Sequence, residues 1–497
     1  MIFPHTRTQK SKNFLLCVLL LIPALLCAQD GFGFDDSGFG FSDSGSGFGG
    51  SARSSAFSLN IGGEVSAELS GFFDDFSSSV RARNSSLGDI FSGSLNFEAG
   101  IPAARGIINL DLNPLVDGSS LLEIDEAYVR AFFGPLAVEG GIRKVTWGKA
   151  DSYGPLDIVN PQDFRDLTRL SDPQDIKIGR PMIRAILSLG SFSRLDAVFV
   201  PAFQGDKFAT SGLWAPNQIT GLAGNLVEEL KTAMLWMDPG YINFFPGLDF
   251  WQKHFDIESH YSDSNPTLGY AQAGLRFTTS AGSSDLGFQY YFGRLPRPRV
   301  IIGLDNYFLG LISSAPKSNP EKITFDVDYN YYHQIGVDFA RVIAGFNLRA
   351  EAGANITGDT DGNDGNIENP AFVWSLGFDR DLFAGINLNL QGSGSMKLFY
   401  SKIGSDPIAD IEAGSGISST RITGIVSRKF FREELELKTT GFWGIEDMDF
   451  LIMPAVIWTR NDVSAELSAG FFGGDKNGEM GQYRNNSFIR VKLSYRF

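Results

Sequence analysis

The sequence predicts an all-β protein, a single transmembrane antiparallel β-barrel of about 18 strands, with about 16 strands as the alternative. Three observations support this fold: segments of about ten residues alternate apolar and polar positions, short and long links alternate between them, and an alternating last strand ends on Phe497. Lipid offers no water to an open sheet edge, so a sheet that crosses a membrane must close on itself. We expect long outer loops and short periplasmic turns.

The composition argues against several classes of function. The 497 residues carry a net charge of -15, whereas a general nucleic-acid-binding protein needs a basic surface. The chain has 4 His and 2 Cys, and both cysteines, Cys17 and Cys27, lie near its start. The remaining sequence therefore has no thiol for a disulfide or a Cys-ligated metal site. We expect no catalytic residue, no metal site, no cofactor and no nucleic-acid partner.

Residues 1–28 are typical of an export signal peptide, and we expect cleavage after Ala28. A basic stretch precedes a short apolar run over residues 14–26, which is too short for a stable membrane anchor. Lipidation at Cys27 is the alternative, although Leu26 is bulky where lipoprotein processing prefers a small residue. The basic residues of the stretch are Arg7, Lys10 and Lys12.

Residues 29–56 form a leader rich in Gly, Phe, Ser and Asp, and we expect the barrel to span residues 57–497. Gly and Ser support no core, and the Phe residues follow neither the strand period nor the helix period. The composition therefore favours a flexible tether. The alternative is a Phe-Gly segment that docks on a periplasmic partner or on the pore.

Alternation of apolar and polar residues continues from Phe57 to the end of the chain. In a transmembrane strand the apolar positions face lipid and the polar positions face the lumen. A soluble β-sandwich also alternates, but its strands are usually shorter. The clear examples are residues 57–61, 65–69, 271–277, 286–292, 463–471 and the run Phe325, Val327, Tyr329 and Tyr331.

Short and long links also alternate, with one exception at residues 446–449. This rhythm places both termini on the periplasmic side, and merging the weak segments near 92–113 would reduce the strand count to the lower alternative. The short links lie near residues 102–105, 134–135, 191, 281–284, 342–345, 380–384, 432–433 and 460–461. The long links cover residues 70–91, 114–120, 147–181, 202–267, 294–321, 358–371, 397–418 and 473–486.

Aromatic pairs mark several strand ends, as in the interfacial girdles of a barrel, with ordinary β-propensity as the alternative. The last strand alternates up to the terminal Phe497 and resembles the strand that outer-membrane assembly machinery reads. We therefore expect Tyr495 and Phe497 to act as an assembly signal. The expected partners are the barrel assembly machinery, periplasmic chaperones and outer-membrane lipid. The aromatic pairs are Phe72-Phe73, Phe132-Phe133, Phe430-Phe431 and Phe471-Phe472.

Residues 123–184 contain DEAY at 125–128, GIRK at 141–144, WGKAD at 147–151 and PLDIVNPQD at 155–163. This block resembles an uncharacterised, porin-like family of bacterial outer-membrane β-barrels that carries the patterns WG-x-A-D and N-P-x-D. The chain departs from the family at Lys144, where Gln is usual, and in its Phe-Gly leader. The resemblance implies an outer-membrane barrel related to transport, and it names no substrate.

The long link within this block is expected to fold into the pore as a constriction. Residues 143–184 contain eight basic and six acidic residues, and rings of charge set selectivity at such constrictions. A solvated surface loop held by weak ion pairs is the alternative. The candidate constriction residues are Arg143, Lys149, Asp151, Asp157, Asp163, Arg165, Asp166 and Arg169.

Opposite charges also meet where the barrel would close. If the apolar residues of the last strand face lipid, its basic residues face the lumen between two acidic neighbouring strands. Opposite charges at cross-strand positions stabilise a sheet by about 0.2–1 kcal/mol each, whereas simple hydration in a wide lumen is the alternative. The candidate seam residues are Glu64, Glu68, Glu466, Arg490, Lys492 and Arg496.

Two further motifs are weak. Residues 359–365 resemble the start of a calcium loop, but Asp364 stands where Gly is needed and Pro370 stands where Glu is needed, which favours an exposed loop. His254 and His260 suggest a hydrolase only weakly, because nothing in the sequence aligns them with a nucleophile.

Together these patterns favour an outer-membrane channel or transporter for small solutes or moderately apolar compounds, without enzyme activity. The alternative is a barrel-anchored adhesin or partner-binding protein that uses the 202–267 link, and a hydrolase is a remote alternative. The solute, the direction of transport and the oligomeric state stay open. The 202–267 link is unusually aromatic, with Trp214, Trp236, Phe244, Phe245 and Trp251.

Overall fold

The computed structural model describes residues 57–73, 80–82, 91–112, 122–209, 212–217, 256–260, 264–296, 299–302, 322–405 and 410–497. The expected signal peptide and leader lie outside the described residues, as do Trp236, Phe244, Phe245, Trp251 and His254. In the described part of the chain, no helix has the length and apolar character needed to cross a membrane.

Eighteen strands form the closed wall of one antiparallel sheet, and a short additional strand, Val80–Ala82, pairs with residues 71–73 at its edge. The first nine are β1 (Ser58–Phe73), β2 (Phe91–Ile101), β3 (Ala104–Leu112), β4 (Leu122–Phe133), β5 (Leu136–Arg143), β6 (Arg180–Leu189), β7 (Ser193–Val200), β8 (Gln272–Ala281) and β9 (Ser284–Arg294). The others are β10 (Tyr331–Ile343), β11 (Phe346–Thr357), β12 (Ala371–Asp381), β13 (Ile386–Lys397), β14 (Ser418–Phe430), β15 (Leu435–Gly444), β16 (Asp449–Arg460), β17 (Val463–Gly473) and β18 (Ser487–Arg496).

Each strand pairs with its neighbours in the chain, and β18 pairs with β1, so the sheet is a closed barrel. The closing ladder runs from Glu64 opposite Arg496 to Phe73 opposite Ser487. The predicted fold is therefore confirmed. The alternative of 16 strands is wrong, because β2 and β3 are separate strands joined by a two-residue turn.

Eight turns of two to four residues lie at one end of the barrel, and the strands that the longer links join meet at the other end. The turn between β10 and β11 consists of Ala344 and Gly345, which have φ angles of 52° and 80°. Two successive positive φ angles match the twist of a two-residue hairpin, which explains why the turn can be so short. The link between β15 and β16, residues 445–448, is the one short link at the opposite end, near the exception that the sequence indicates.

The two faces of the barrel wall differ as the alternation predicts. On β18, Val491 and Leu493 point outward and are 52% and 53% exposed, whereas the neighbouring Ser494 is buried inside. The outward band is apolar on nearly every strand, which suits contact with hydrocarbon. Phe72 and Phe472, from two of the predicted aromatic pairs, point inward and are buried.

One predicted barrel strand is wrong in part. The alternating run from Phe325 to Tyr331 divides, because Lys322–Asp328 pairs with Asp256–His260 and Arg299–Ile302 in a separate three-stranded sheet. The chain changes course at Tyr329, whose ring packs 4.4 Å from that of Phe203. The barrel strand β10 therefore begins only at Tyr331.

Candidate functional site

The candidate site is built by the 144–179 link, which joins β5 to β6. Its two ends are tied together by Asn160, whose Oδ1 accepts a hydrogen bond from the Val145 N–H at 2.8 Å. The Asn160 amide donates to the carbonyl oxygens of Arg143 at 2.9 Å and Ile178 at 2.8 Å. A single buried side chain thus holds the link as a closed unit, which explains a defined fold in a segment with almost no regular structure.

A buried ion pair strengthens this unit. The Lys177 ammonium lies 2.6 Å from the Asp157 carboxylate and donates to the Thr146 hydroxyl at 2.8 Å. The other oxygen of Asp157 accepts from the Trp147 N–H at 3.2 Å. Because the Lys177 side chain is 1% exposed, loss of Asp157 would leave a buried charge unpaired.

The link is fastened to the inner wall by Glu351 on β11. This carboxylate accepts hydrogen bonds from the backbone N–H groups of Lys149, of Ala150 at 2.7 Å and of Leu156 at 3.3 Å. Gly148 makes the approach possible, since it has a φ of +88° and a Cβ there would lie 2.3 Å from the Glu351 Oε1. Only glycine combines that backbone angle with the missing side chain.

Three inward glutamines satisfy further backbone groups of the link. Gln391 on β13 accepts from the N–H groups of Asp151 and Ser152 at 3.0 and 3.1 Å. The carbonyl of Leu156 accepts a hydrogen bond from the Gln289 amide of β9 at 2.9 Å, and the carbonyl of Pro155 accepts one from the Gln334 amide of β10 at 3.0 Å. Inward side chains of β9–β13 therefore make the backbone hydrogen bonds that water would make to a surface loop.

An ion-pair network adds to this attachment. The Asp151 carboxylate pairs with the Arg349 guanidinium of β11 and accepts from the Asn389 amide of β13 at 2.8 Å. Arg349 also lies 2.6 Å from Asp379 on β12. Two strands thus contact Asp151 directly, and β12 joins the network through Arg349.

The distal part of the link meets the other side of the barrel wall through apolar contacts. The Tyr153 ring packs 5.7 Å from that of Phe442 on β15, and its hydroxyl donates to the Leu170 carbonyl at 3.1 Å. Leu170 is buried in a cluster formed by the link and the strands β1 and β15–β18. The link therefore contacts strands on both sides of the lumen. The cluster also contains Leu167, Ile176, Phe72, Leu451, Met453, Phe472 and Phe488.

The next long link packs against the first. Asp206 accepts from the Gln162 N–H at 2.8 Å, and the Lys207 carbonyl accepts from the Phe164 N–H at 2.8 Å. Further along, Trp214 is 2% exposed and lies in the same apolar cluster. The described beginning of the 202–267 link is therefore engaged with the protein itself.

The predicted constriction residues do not share one ring. Arg143 pairs with Glu126 at 2.7 Å, and Lys149 lies 3.6 Å from Asp285. Asp166 accepts from the Thr168 N–H at 3.0 Å and caps the short 3-10 helix Leu167–Arg169. Of the other candidates, Asp151 pairs with Arg349 and Asp157 pairs with Lys177. Arg169 is exposed.

Asp163 and Arg165 are two positions apart on the link and form an ion pair. The Arg165 guanidinium donates to both carboxylate oxygens of Asp163, with the shortest contact at 2.5 Å. Burial raises the pKa of Asp163, but the hydrogen bonds and charge of Arg165 outweigh it and hold the pKa below its usual value. Asp163 therefore stays ionised and offsets the charge of Arg165.

A polar cavity of about 190 Å³ lies between residues 168–175 of the link and the inner wall of β15–β18. Glu466 and Arg490, both seam candidates, line it and pair at 2.8 Å. Sequence patterns do not indicate the other polar lining residues as a group, because they come from distant parts of the chain that only the fold brings together. These residues are Thr168, Ser171, Asp172 and Asp175 on the link, and Lys438, Thr440 and Ser468 on the strands.

The seam charges come together on the inner face. Glu64 lies 2.9 Å from Arg496 and 3.5 Å from Lys492. Arg490 reaches both neighbouring strands, at 2.8 Å to Glu466 and 4.0 Å to Glu68. The rings of the candidate assembly residues Tyr495 and Phe497 are 6.5 Å apart and stacked.

Of the two weak motifs, the structure describes the side chains of residues 359–365. The Asp359 carboxylate accepts from the N–H groups of Asn363 at 3.0 Å and Asp364 at 2.9 Å, so it serves its own loop. In the parts of the chain that the structure describes, no group of three His, Cys, Asp or Glu residues is placed to hold a metal ion. For His260, the structure describes the backbone alone.

No family model and no curated protein matches the sequence. Among solved structures, the chain is similar to Wzi of Escherichia coli, named as an outer membrane protein involved in group 1 capsule assembly and a carbohydrate-binding β-barrel. The TM-score is 0.42 at 10% identity, over 88% of this chain and 84% of that one. It is also similar to the outer membrane channel DcaP of Acinetobacter baumannii, with a TM-score of 0.37 at 11% identity, over 90% of this chain and 100% of that one.

A third similar structure is OmpF of Salmonella typhi in complex with daunomycin, with a TM-score of 0.39 at 8% identity, over 88% of this chain and 97% of that one. At these identities and TM-scores we draw no functional conclusion from the three similarities. The family resemblance of residues 123–184 stays a prediction.

Proposed function

We propose that the protein is an outer-membrane channel for small solutes or moderately apolar compounds, in which the 144–179 link acts as an inserted constriction. The observation that supports this most strongly is the fastening of the link to inward side chains, from Glu351 on β11 to the apolar cluster beside β15–β18. If the link were a solvated surface loop, water would make the hydrogen bonds to these inward side chains. Here the link lies across the path that a solute would follow.

The outer surface supports the membrane location. Large apolar side chains are exposed at outward positions around the barrel, including Leu69, Ile335 and Leu376 at 64%, 54% and 61%. In water, such a band would cost about 25 cal/mol for each Å² of apolar surface. Contact with hydrocarbon removes that cost, and strand pairing around the whole barrel satisfies the backbone.

The cavity beside the link suits the proposed solutes. Its wall combines charged residues with apolar ones, among them Met453, Ile457 and Phe488. A small solute with a polar end and an apolar body could therefore contact both kinds of surface as it passes. We also propose the export signal over residues 1–28, cleavage after Ala28, and assembly through the usual outer-membrane machinery.

The direct test is reconstitution of the refolded full barrel. In planar bilayers we expect discrete conductance steps, and in liposomes we expect swelling with sugars or amino acids. A heat-modifiable band on gels would establish that the same preparation is folded. A folded protein that neither conducts nor causes swelling would overturn the channel and favour the surface adhesin.

The alternatives draw less support from the described residues. The adhesin would use the 202–267 link, yet its described start, including Trp214, is buried against the barrel. The hydrolase would need His254 or His260, and both His254 and the side chain of His260 lie outside the described residues.

A further inference from the structure

We infer that the cavity between the 144–179 link and β15–β18 is a binding site for a small zwitterion of amino-acid type with an apolar side chain. The inference rests on the proposed channel function, since the site lies beside the link along the same lumen. It adds the class of solute, which the channel proposal leaves open.

Charges of opposite sign stand on opposite walls of the cavity. Asp172 and Asp175 line it from the link, whereas Lys438 lines it from β15. None of the three forms an ion pair with another described residue. The other two charged residues of the lining, Glu466 and Arg490, neutralise each other at 2.8 Å. A ligand with its ammonium group toward the link and its carboxylate toward β15 would pair with the charges on both walls.

Thr440 supplies a buried hydroxyl beside the cavity. It follows Lys438 on the same inward face of β15, is 2% exposed and lines the cavity. Its hydroxyl has no hydrogen-bond partner among the described residues, although buried hydroxyls are usually paired. A carboxylate held by Lys438 would offer this hydroxyl the acceptor that it lacks.

The volume and the apolar lining of the cavity also suit a small amino acid. The volume of about 190 Å³ exceeds the roughly 150 Å³ of an engineered apolar cavity that holds benzene. Met453, Ile457 and Phe488 offer an apolar surface for a branched side chain. Asp172 and Asp175 are exposed, so the site is open to solvent.

Three probes with the same apolar body test the charge assignment. L-leucine is a zwitterion, L-leucinamide keeps only the positive charge, and 4-methylpentanoate keeps only the negative charge. We expect saturable binding of L-leucine to the refolded full barrel in detergent, measured by calorimetry. Each of the other probes should bind at least about tenfold more weakly, since each loses one charge-assisted contact.

Variants of the two walls should have opposite effects. Lys438→Met should weaken L-leucine and 4-methylpentanoate and spare L-leucinamide. The double variant Asp172→Asn with Asp175→Asn should weaken L-leucine and L-leucinamide and spare 4-methylpentanoate. Thr440→Val should weaken L-leucine severalfold, whereas the matched control Thr439→Val should not, because Thr439 faces outward on the same strand.

Equal affinity for the three probes, or no saturable binding of L-leucine by heat-modifiable protein, would overturn the inference. L-leucinamide binding as tightly as L-leucine would also overturn it and would assign the cavity to organic cations. Bilayer conductance of the same preparation separates the two proposals. If the protein conducts but does not bind L-leucine, the zwitterion site is wrong and the channel stands. If it binds L-leucine but does not conduct, the channel is wrong and the binding site stands.

Discussion

At the scale of single residues, Glu351 has the largest role in placing the link. One carboxylate satisfies three backbone N–H groups of a segment about 200 residues earlier in the chain, at separations of 202, 201 and 195 positions. Hydrogen bonds to a charged group contribute about 1.5–3 kcal/mol, and unpaired buried donors cost a similar amount. Gly148 and Gly154 leave the space that this carboxylate occupies.

We expect Glu351→Ala to loosen residues 149–156 without opening the barrel, because the N–H groups of Lys149, Ala150 and Leu156 lose their acceptor. Single-channel recordings should then show larger and noisier open-state currents, because the released segment fluctuates in the lumen. Glu433→Ala is the matched control, since Glu433 lies on an exposed short turn and pairs only with Lys429 at 3.0 Å among the described residues. Identical currents in the two variants would contradict this role for Glu351.

At the scale of elements, the strands were predictable and the fastening of the link was not. Alternation with a period of two specifies which face of a strand is buried, so β1, β17 and β18 could be read from the sequence. The same alternation does not specify the partner strand, which is why Lys322–Asp328 was assigned to the barrel. Glu351 and Gln391 are single polar residues on strands, and only the fold brings them to the link.

The charge of the link gives a prediction at this scale. Arg165 is offset by Asp163, and Arg169 is exposed, so their replacement together makes the charge of the link more negative by two. We expect Arg165→Gln with Arg169→Gln to shift the reversal potential in a salt gradient toward cation selectivity.

Arg432→Gln with Arg460→Gln removes the same charge from an exposed short turn and from the exposed last residue of β16, both at the opposite end of the barrel. This control should change selectivity much less, since exposed charges are screened beyond about 10 Å at 0.1 M salt. An unchanged reversal potential in the conducting link variant would argue against a constriction at these residues.

At the scale of the whole molecule, closure of the barrel depends on the β18–β1 ladder and on the charges along it. Glu64 pairs with Arg496 and Lys492, and Arg490 pairs chiefly with Glu466 rather than with Glu68. The alternation on both strands predicted these inward faces. The choice of partner depends on side-chain reach across the ladder, which a sequence pattern does not contain.

We expect Glu64→Lys to lower the unfolding temperature in detergent, because it places three positive charges together. Adding Arg496→Glu should restore part of the loss, with a coupling of about 0.2–1 kcal/mol that is reduced by the exposure of Arg496. Strictly additive effects in the double variant would mean that the pair does not contribute to closure.

We propose that the 144–179 link restricts the lumen, and replacement of residues 147–176 by a short Gly-Ser linker tests this most directly. The ends of β5 and β6 pair at Arg143 and Arg180, so a short linker can join them. Single-channel conductance of the heat-modifiable variant should rise severalfold above that of the unaltered protein, with weaker ion selectivity. Equal conductance and equal selectivity in the two proteins would contradict the claim.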